Sequence, residues 1–435
     1  MLHSKKIGLA LSGGGYRAAA YHIGTLKALY KLGILENIDV VSSISGGSIT
    51  AAYYVLHKDN FKEFEISLIS KLQGGVLWGT IVCLAIEVVG MLGLHAWFLS
   101  TIMDATCICL CWKVTLSIIL CLICIALIVV LLHKIVPTSI LIEKLYRHKF
   151  FGNKTLANLP DTPILAINAT EVELNQQLTF SQLKVACGHK YPNEYFKKDE
   201  IPISLAVMAS SAYPMFSPVK FPKKYLSSED SMSPVLVDGG IYDNHGTHKL
   251  GEELSAYRTD YIVVSDACNT FMNRKGTWNV VCLMKKVIDM MMNRIEKVQR
   301  RYNEYRTNNQ DQRYAYIPLT WTADENYLHR FVNNIKNKHV PLDVCMMHGI
   351  SAGMVQKIEN GDINAAEQAK IRVEQSIGWN ELYLNKPSEE KKQIALSVGT
   401  SLCGLSKDKI EALIACAEWM TEVQLKIYFP MFVLQ

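Results

Sequence analysis

One serine, set between a buried strand and a helix in a run of small residues, constrains this chain more than any other feature. Ile38-Asp39-Val40-Val41 is short and apolar enough to be a buried strand, and Ile49 to Leu56 reads as a helix. Between them lie Ser42-Ser43-Ile44-Ser45-Gly46-Gly47-Ser48. A strand-to-helix turn this tight excludes bulky neighbours, which is the pattern of a nucleophile elbow. It places the Ser45 hydroxyl at the carboxyl end of the sheet, where open α/β sheets build their sites.

Upstream, Ile7-Gly8-Leu9-Ala10-Leu11 reads as a first buried strand and Ala18 to Leu32 as a helix stopped at Gly33. Ser12-Gly13-Gly14-Gly15-Tyr16-Arg17 joins them. Such a loop presents consecutive backbone N–H groups at a helix N-terminus and attracts negative charge. A dinucleotide fingerprint wants a third glycine where Ala18 stands, and a phosphate-cradling loop wants a Gly-Lys-Ser/Thr ending that is missing. An oxyanion hole needs only donors close to a nucleophile, and a glycine turn without chemistry is the plain alternative.

The chain has 435 residues, enough for a large α/β domain with attachments. Its net charge of +5 is too mild to argue for nucleic acid, and no zinc-finger, RRM or helix-turn-helix signature is present. The hydrophobic fraction, 49%, is raised by one region. Val76 to about Phe98 is apolar apart from Glu87 and His95, and Val114 to Leu132 holds no charged residue. A bilayer core of about 30 Å needs about 20 such residues in a helix. We read residues 76–132 as a transmembrane helical hairpin; a buried helical pair, or a lid that only dips into lipid, is the alternative. Lys62 and Lys71 before it, and Lys134, Lys144, Arg147 and Lys149 after it, orient the rest of the chain toward the cytoplasm. Half of the 12 cysteines lie between Cys83 and Cys124, without a disulfide framework, which implies a reducing compartment. The start of the chain carries no signal-peptide pattern.

Beyond the hairpin, residues 163–170 and 177–181 read as paired strands. Residues 202–212 form a helix of small residues suited to close packing near the elbow. Val235-Leu236-Val237-Asp238-Gly239-Gly240 then puts a carboxylate at a strand end before a sharp turn. Serine is a poor nucleophile without a base, and a carboxylate in a partly apolar site can serve, so Asp238 is the candidate partner of Ser45. Asp243 and Asn244 suit local hydrogen bonds in the loop. His22, His245, His329, His339 and His348 have no recognisable catalytic context; His245 is the one retained as an alternative base.

Taken together, these residues resemble the patatin-like phospholipase family. Gly13-Gly14-Gly15-Tyr16-Arg17 matches its glycine-rich motif, and Asp238-Gly239-Gly240 its Asp-Gly-Gly/Ala motif. Ser43-Ile44-Ser45-Gly46-Gly47 matches its Gly-x-Ser-x-Gly elbow, with Ser43 where glycine is usual. Ala209-Ser210-Ser211-Ala212-Tyr213-Pro214 is also family-like. The resemblance covers roughly residues 6–73 and 150–270 and omits the apolar hairpin. It implies a three-layer α/β/α domain with a mostly parallel sheet, and a serine esterase with a Ser45–Asp238 dyad. Gly13, Gly14 and Gly15 would form the oxyanion hole, with Arg17 fixing the loop, and neither metal nor cofactor would be needed. The implied activity is hydrolysis of glycerophospholipid acyl esters. A neutral-lipid lipase and a catalytically silent lipid-binding or scaffolding protein are the alternatives.

In the last third, residues 261–265 and 314–319 read as strands, the second at an edge. Trp278 to Arg306 reads as a long basic helix whose apolar positions, among them Met284, Ile288, Met291 and Val298, form a core-facing stripe. The expected organisation is a patatin-like domain in two parts, 1–73 and 137–320, split by a hairpin at 74–136 and followed by a helical cover at 321–435.

Overall fold

In a computed structural model of the chain, the structure describes residues 5–76, 111–122, 138–188, 194–214, 216–228, 230–269, 280–309 and 312–433, with Tyr191 and scattered positions between 79 and 109. The centre is an eight-stranded mixed sheet: β1 (Ile7–Leu11), β2 (Val40–Ile44), β3 (Ile164–Glu171), β4 (Gln176–Phe180), β5 (Val219–Lys220), β6 (Val235–Asp238), β7 (Tyr261–Asp266) and β8 (Arg313–Pro318). The order is β5-β6-β3-β2-β1-β7-β8, with β4 also on β3. Strands β3, β2, β1, β7 and β8 run parallel, whereas β4 and β6 are antiparallel to β3 and β5 is antiparallel to β6. The expectation of a mostly parallel sheet therefore holds for one half. The other half is antiparallel: β4 returns along β3 through a short turn, whereas β6 comes back to β3 only after the helix Ile203–Ser210 and β5.

Alternation along each strand sorts the side chains to two faces. Leu9, Leu11, Val41, Leu165, Ile167, Val263 and Ile317 join the large core, which continues into the C-terminal helices through Phe331, Leu413 and Leu425. Ala10, Val40, Ala166, Ile262, Val264, Tyr314 and Tyr316 face the other way onto Leu250 and Tyr257, a thinner cover. On the thick side, α1 (Gly15–Lys31) and α2 (Gly46–Leu56) are the crossover helices after β1 and β2. They are joined by α3 (Phe61–Gln73), α4 (Thr138–Tyr146) and α5 (Ile203–Ser210). The long α6 (Val280–Asn309) follows β7, and after several short helices α7 (Lys407–Tyr428) returns to pack along α1.

Of the expected hairpin, residues 111–122 are helical, as are scattered positions from 79 to 101; the remainder lies outside the described residues. Ile86, Val89, Trp97, Trp112, Ile118 and Leu122 are exposed. Among the described residues, no helix is long and apolar enough to cross a membrane.

Candidate active site

Because β1 and β2 are parallel neighbours, the turns that follow them emerge at the same edge of the sheet. β2 ends at Ile44, and Ser45 takes φ 49° and ψ −119°, a left-handed conformation forced by the immediate start of α2 at Gly46. The glycine loop lies directly against this elbow. A Cβ on Gly46 would come within 2.0 Å of the Gly15 carbonyl oxygen, and one on Gly47 within 2.5 Å of that of Leu11. Gly14 and Gly15 themselves have φ of 140° and 61°, which a side chain would strain.

Register brings the carboxylate in. Ile44 pairs with Asn168 and Ala169 pairs with Asp238, so Ser45 and Asp238 flank β3 at one level. The Ser45 side chain faces the Asp238 carboxylate and favours its ionised form. Asp238 Oδ1 also accepts the Gly240 N–H at 2.7 Å, and its own N–H donates to the Ala212 carbonyl at 2.8 Å. Burial pushes its carboxyl up to about 6, against the opposing effects of the Gly240 hydrogen bond and the Ser45 side chain.

The three glycines are not equivalent. The Gly13 N–H donates to the Asn244 carbonyl at 3.0 Å and is committed there, which corrects the expectation of three free donors. Among the described residues, none accepts from the Gly14 or Gly15 N–H. Arg17 bonds to neither Ser45 nor Asp238. It is buried, with Nε donating to Ala267 O at 2.9 Å and Nη1 to Val398 O at 3.2 Å, and so ties the loop to β7 and to the C-terminal region.

Ser43 finds a polar slot. Its hydroxyl donates to Ala166 O at 3.4 Å and accepts from Ser48 Oγ at 3.1 Å. Ser48 is in turn 2.9 Å from Ser210 Oγ, and Ser210 accepts the Ser45 N–H at 2.8 Å. The small-residue helix α5 thus holds the elbow from behind through Ser210.

Sequence reasoning missed other members of the site. Asn244 receives Gly13 on its carbonyl and donates through Nδ2 to Cys268 Sγ at 3.0 Å. Ser401, far along the chain, accepts the Tyr16 N–H at 2.9 Å and closes the glycine loop from outside. Asn244 was legible only as a former of local hydrogen bonds in its loop, and nothing local signals Ser401.

The histidines are accounted for otherwise. His22 Nε2 donates to Ser12 O at 2.9 Å and Nδ1 accepts from Ser265 Oγ at 2.7 Å. Burial lowers it to about 4, so it stays neutral and holds the loop. His245 Nε2 is 3.4 Å from Asp266 Oδ2 and 3.6 Å from Glu296 Oε1. Burial alone would lower His245, but the two carboxylates outweigh it and raise it to about 10, so it remains charged rather than acting as a base. His348 is bonded to Ser376 and Ile427 among the C-terminal helices. His245, Asp266 and Glu296 are also the one group among the described residues whose ligand atoms cluster closely enough to hold a metal. Both carboxylates approach the same Nε2, and neither ring nitrogen of His245 makes a hydrogen bond, so the three are held by charge alone.

A family model described as patatin-like phospholipase matches residues 9–84 and 125–250, breaking across the apolar stretch. Among solved structures, the chain is similar to human GIVD cytosolic phospholipase A2 (14% identity, 60% of this chain and 43% of that one, TM-score 0.35). It is also similar to that human protein in complex with methyl gamma-linolenyl fluorophosphonate (13% identity, 98% and 59%, TM-score 0.43). A third is VipD from Legionella pneumophila (14% identity, 99% and 92%, TM-score 0.32). The chain thus spans less than half of the first of these. No curated protein sequence matches it. With the glycine loop, the elbow and the Asp-Gly-Gly strand all inside the matched segments, the chain belongs to the patatin-like phospholipase family.

Proposed function

We propose that this protein is a lipid acyl hydrolase that cleaves fatty-acyl esters of glycerophospholipids through Ser45 and Asp238. The observation that carries the reading is the strained Ser45 elbow set level with the buried Asp238 carboxylate across β3. Ser45 Oγ attacks the ester carbonyl while Asp238 takes its proton. The Gly14 and Gly15 N–H groups stabilise the oxyanion, and Asp238 returns the proton to the departing glycerol oxygen. Water then attacks the acyl-serine, Asp238 accepts its proton, and the fatty acid leaves with Ser45 restored. Each oxyanion donor in such a site is worth about 100- to 1,000-fold in rate.

Asp238 must be ionised to act, so kcat/KM rises as pH increases through about 6. Ser45→Ala and Asp238→Asn each abolish fatty-acid release, measured by mass spectrometry on a mixed lipid extract. Retained release in either variant sinks the dyad. The same product profile separates phospholipid from neutral-lipid hydrolysis. A fluorophosphonate probe that labels the wild type but not Ser45→Ala excludes a silent site.

In this reading residues 76–132 anchor the enzyme in the bilayer with the catalytic domain on the cytoplasmic side. The charge-free run Val114 to Leu132 and the basic flanks support it. Release of the protein by alkaline carbonate extraction overturns the anchor without touching the chemistry.

A further inference from the structure

Helix α6 is built inside out. Its inward face is polar: Asp289 accepts from Tyr213 OH at 2.8 Å, Glu296 pairs with His245, and Gln299 Nε2 donates to Tyr242 O at 3.2 Å. Asn303 donates to Thr247 and Tyr316. Its outward face is apolar. Val280, Leu283, Met284, Val287, Met290, Met291, Val298 and Tyr302 are all between 41% and 71% exposed. At 100° per residue these positions fall on one stripe, about 33 Å long.

This overturns the expected core-facing stripe, because Met284, Met291 and Val298 point away from the protein. The reason lies in the partners. The groups beneath α6 are buried polar groups of the site loops, and only its polar side can satisfy them. An apolar stripe of that length left in water marks a surface that something covers.

Charge selects the occupant. Between residues 280 and 302 the acids are Asp289 and Glu296, both on the inward half, while Arg294, Lys297 and Arg301 are exposed along the stripe. A second copy of this helix would set like charges against one another. Anionic headgroups complement them, and methionine-rich surfaces adapt to fluid partners. The position fits as well, since Met292 packs on Gly240, two residues from Asp238.

We infer that α6 is a lipid-contacting helix that lays this stripe on an anionic membrane surface and brings that surface close to the Asp238 turn. The inference takes its substrate from the hydrolase reading, but the lipid contact itself does not depend on catalysis.

The full chain, reconstituted into vesicles of phosphatidylserine and phosphatidylcholine, tests it. Met291→Trp adds fluorescence that falls at least twofold when the acyl chains are brominated, whereas Leu384→Trp, in the exposed C-terminal region, adds fluorescence that does not. Absence of quenching at position 291 overturns the inference. So does a concentration-dependent dimer that Met284→Glu/Met291→Glu abolishes, which would make the occupant a second copy. The same double variant lowers hydrolysis of vesicle phospholipid about tenfold and leaves hydrolysis of a soluble short-chain ester unchanged. If the hydrolase reading fails instead, wild-type hydrolysis is missing while quenching at position 291 persists.

Discussion

The two glycine turns and helix α6 both border the loop that follows β6 but are held by opposite means. The turns are joined by backbone packed on backbone, with Gly46 against Gly15 and Gly47 against Leu11. Helix α6 is held by side chains, through Asp289, Glu296 and Asn303. Contact through the backbone leaves no room for another atom and requires glycine, so it writes itself into the local sequence. Contact through side chains leaves the exposed half of the helix free for another role.

The sharpest break in this comparison is Gly46→Ala. Its Cβ would meet a main-chain oxygen at 2.0 Å, and neither turn can yield without moving a strand. We expect a loss of at least about 3 kcal/mol, seen as a large fall in Tm, together with loss of ester hydrolysis. Val287→Ala on the outward face of α6 should change stability by no more than about 0.5 kcal/mol. Similar losses at the two positions would remove the distinction.

This contrast also explains what could be read in advance. Strand β1 was legible because Ile7 to Leu11 is apolar and punctuated at once by glycines, and β6 because Val235 to Val237 ends in Asp-Gly-Gly. The positions of Ser45 and Asp238 at strand ends followed from those local signals. Their meeting did not. It depends on β6 pairing antiparallel with β3 in the register Ala169 to Asp238, which no short window encodes. The outward turn of α6 was misread because its 3.6-residue period says that one face is apolar, not which face meets the protein. Arg17 reaching Val398, and Ser401 closing the loop, rest on α7 bringing the end of the chain back along α1.

A second test cuts the side-chain link. In Glu296→Gln, His245 keeps Asp266 but loses one of the two carboxylates that raise it to about 10. A histidine raised above its unfolded value of about 6.5 contributes stability that is fully present below that pH and lost as pH rises through the folded value. The variant should therefore be less stable by about 2 kcal/mol below pH 6.5, with the gap narrowing as pH approaches 10. Thermal melts across that range decide it. A gap that stays constant with pH would mean that Glu296 only packs, and α6 would then owe its seat to Asp289 and Asn303.

The smallest effect is expected where this chain departs from its family. Ser43 stands at the elbow position where glycine is usual, yet its φ is not in the left-handed region and its side chain is not squeezed. The hydroxyl bridges Ser48 and the Ala166 carbonyl, in a chain of serines that ends on the Ser45 N–H. Close backbone approach is met by Gly46 and Gly47 on the other side of Ser45, so position 43 is free to carry a side chain. Ser43→Gly should cost about 1 kcal/mol, from the lost hydrogen bond and the added freedom of the unfolded chain. Ester hydrolysis should stay within about threefold of wild type, because Ser210 still holds the Ser45 N–H. A tenfold gain in kcat would instead place Ser43 among the groups that crowd the elbow, and would extend backbone control to both sides of the nucleophile.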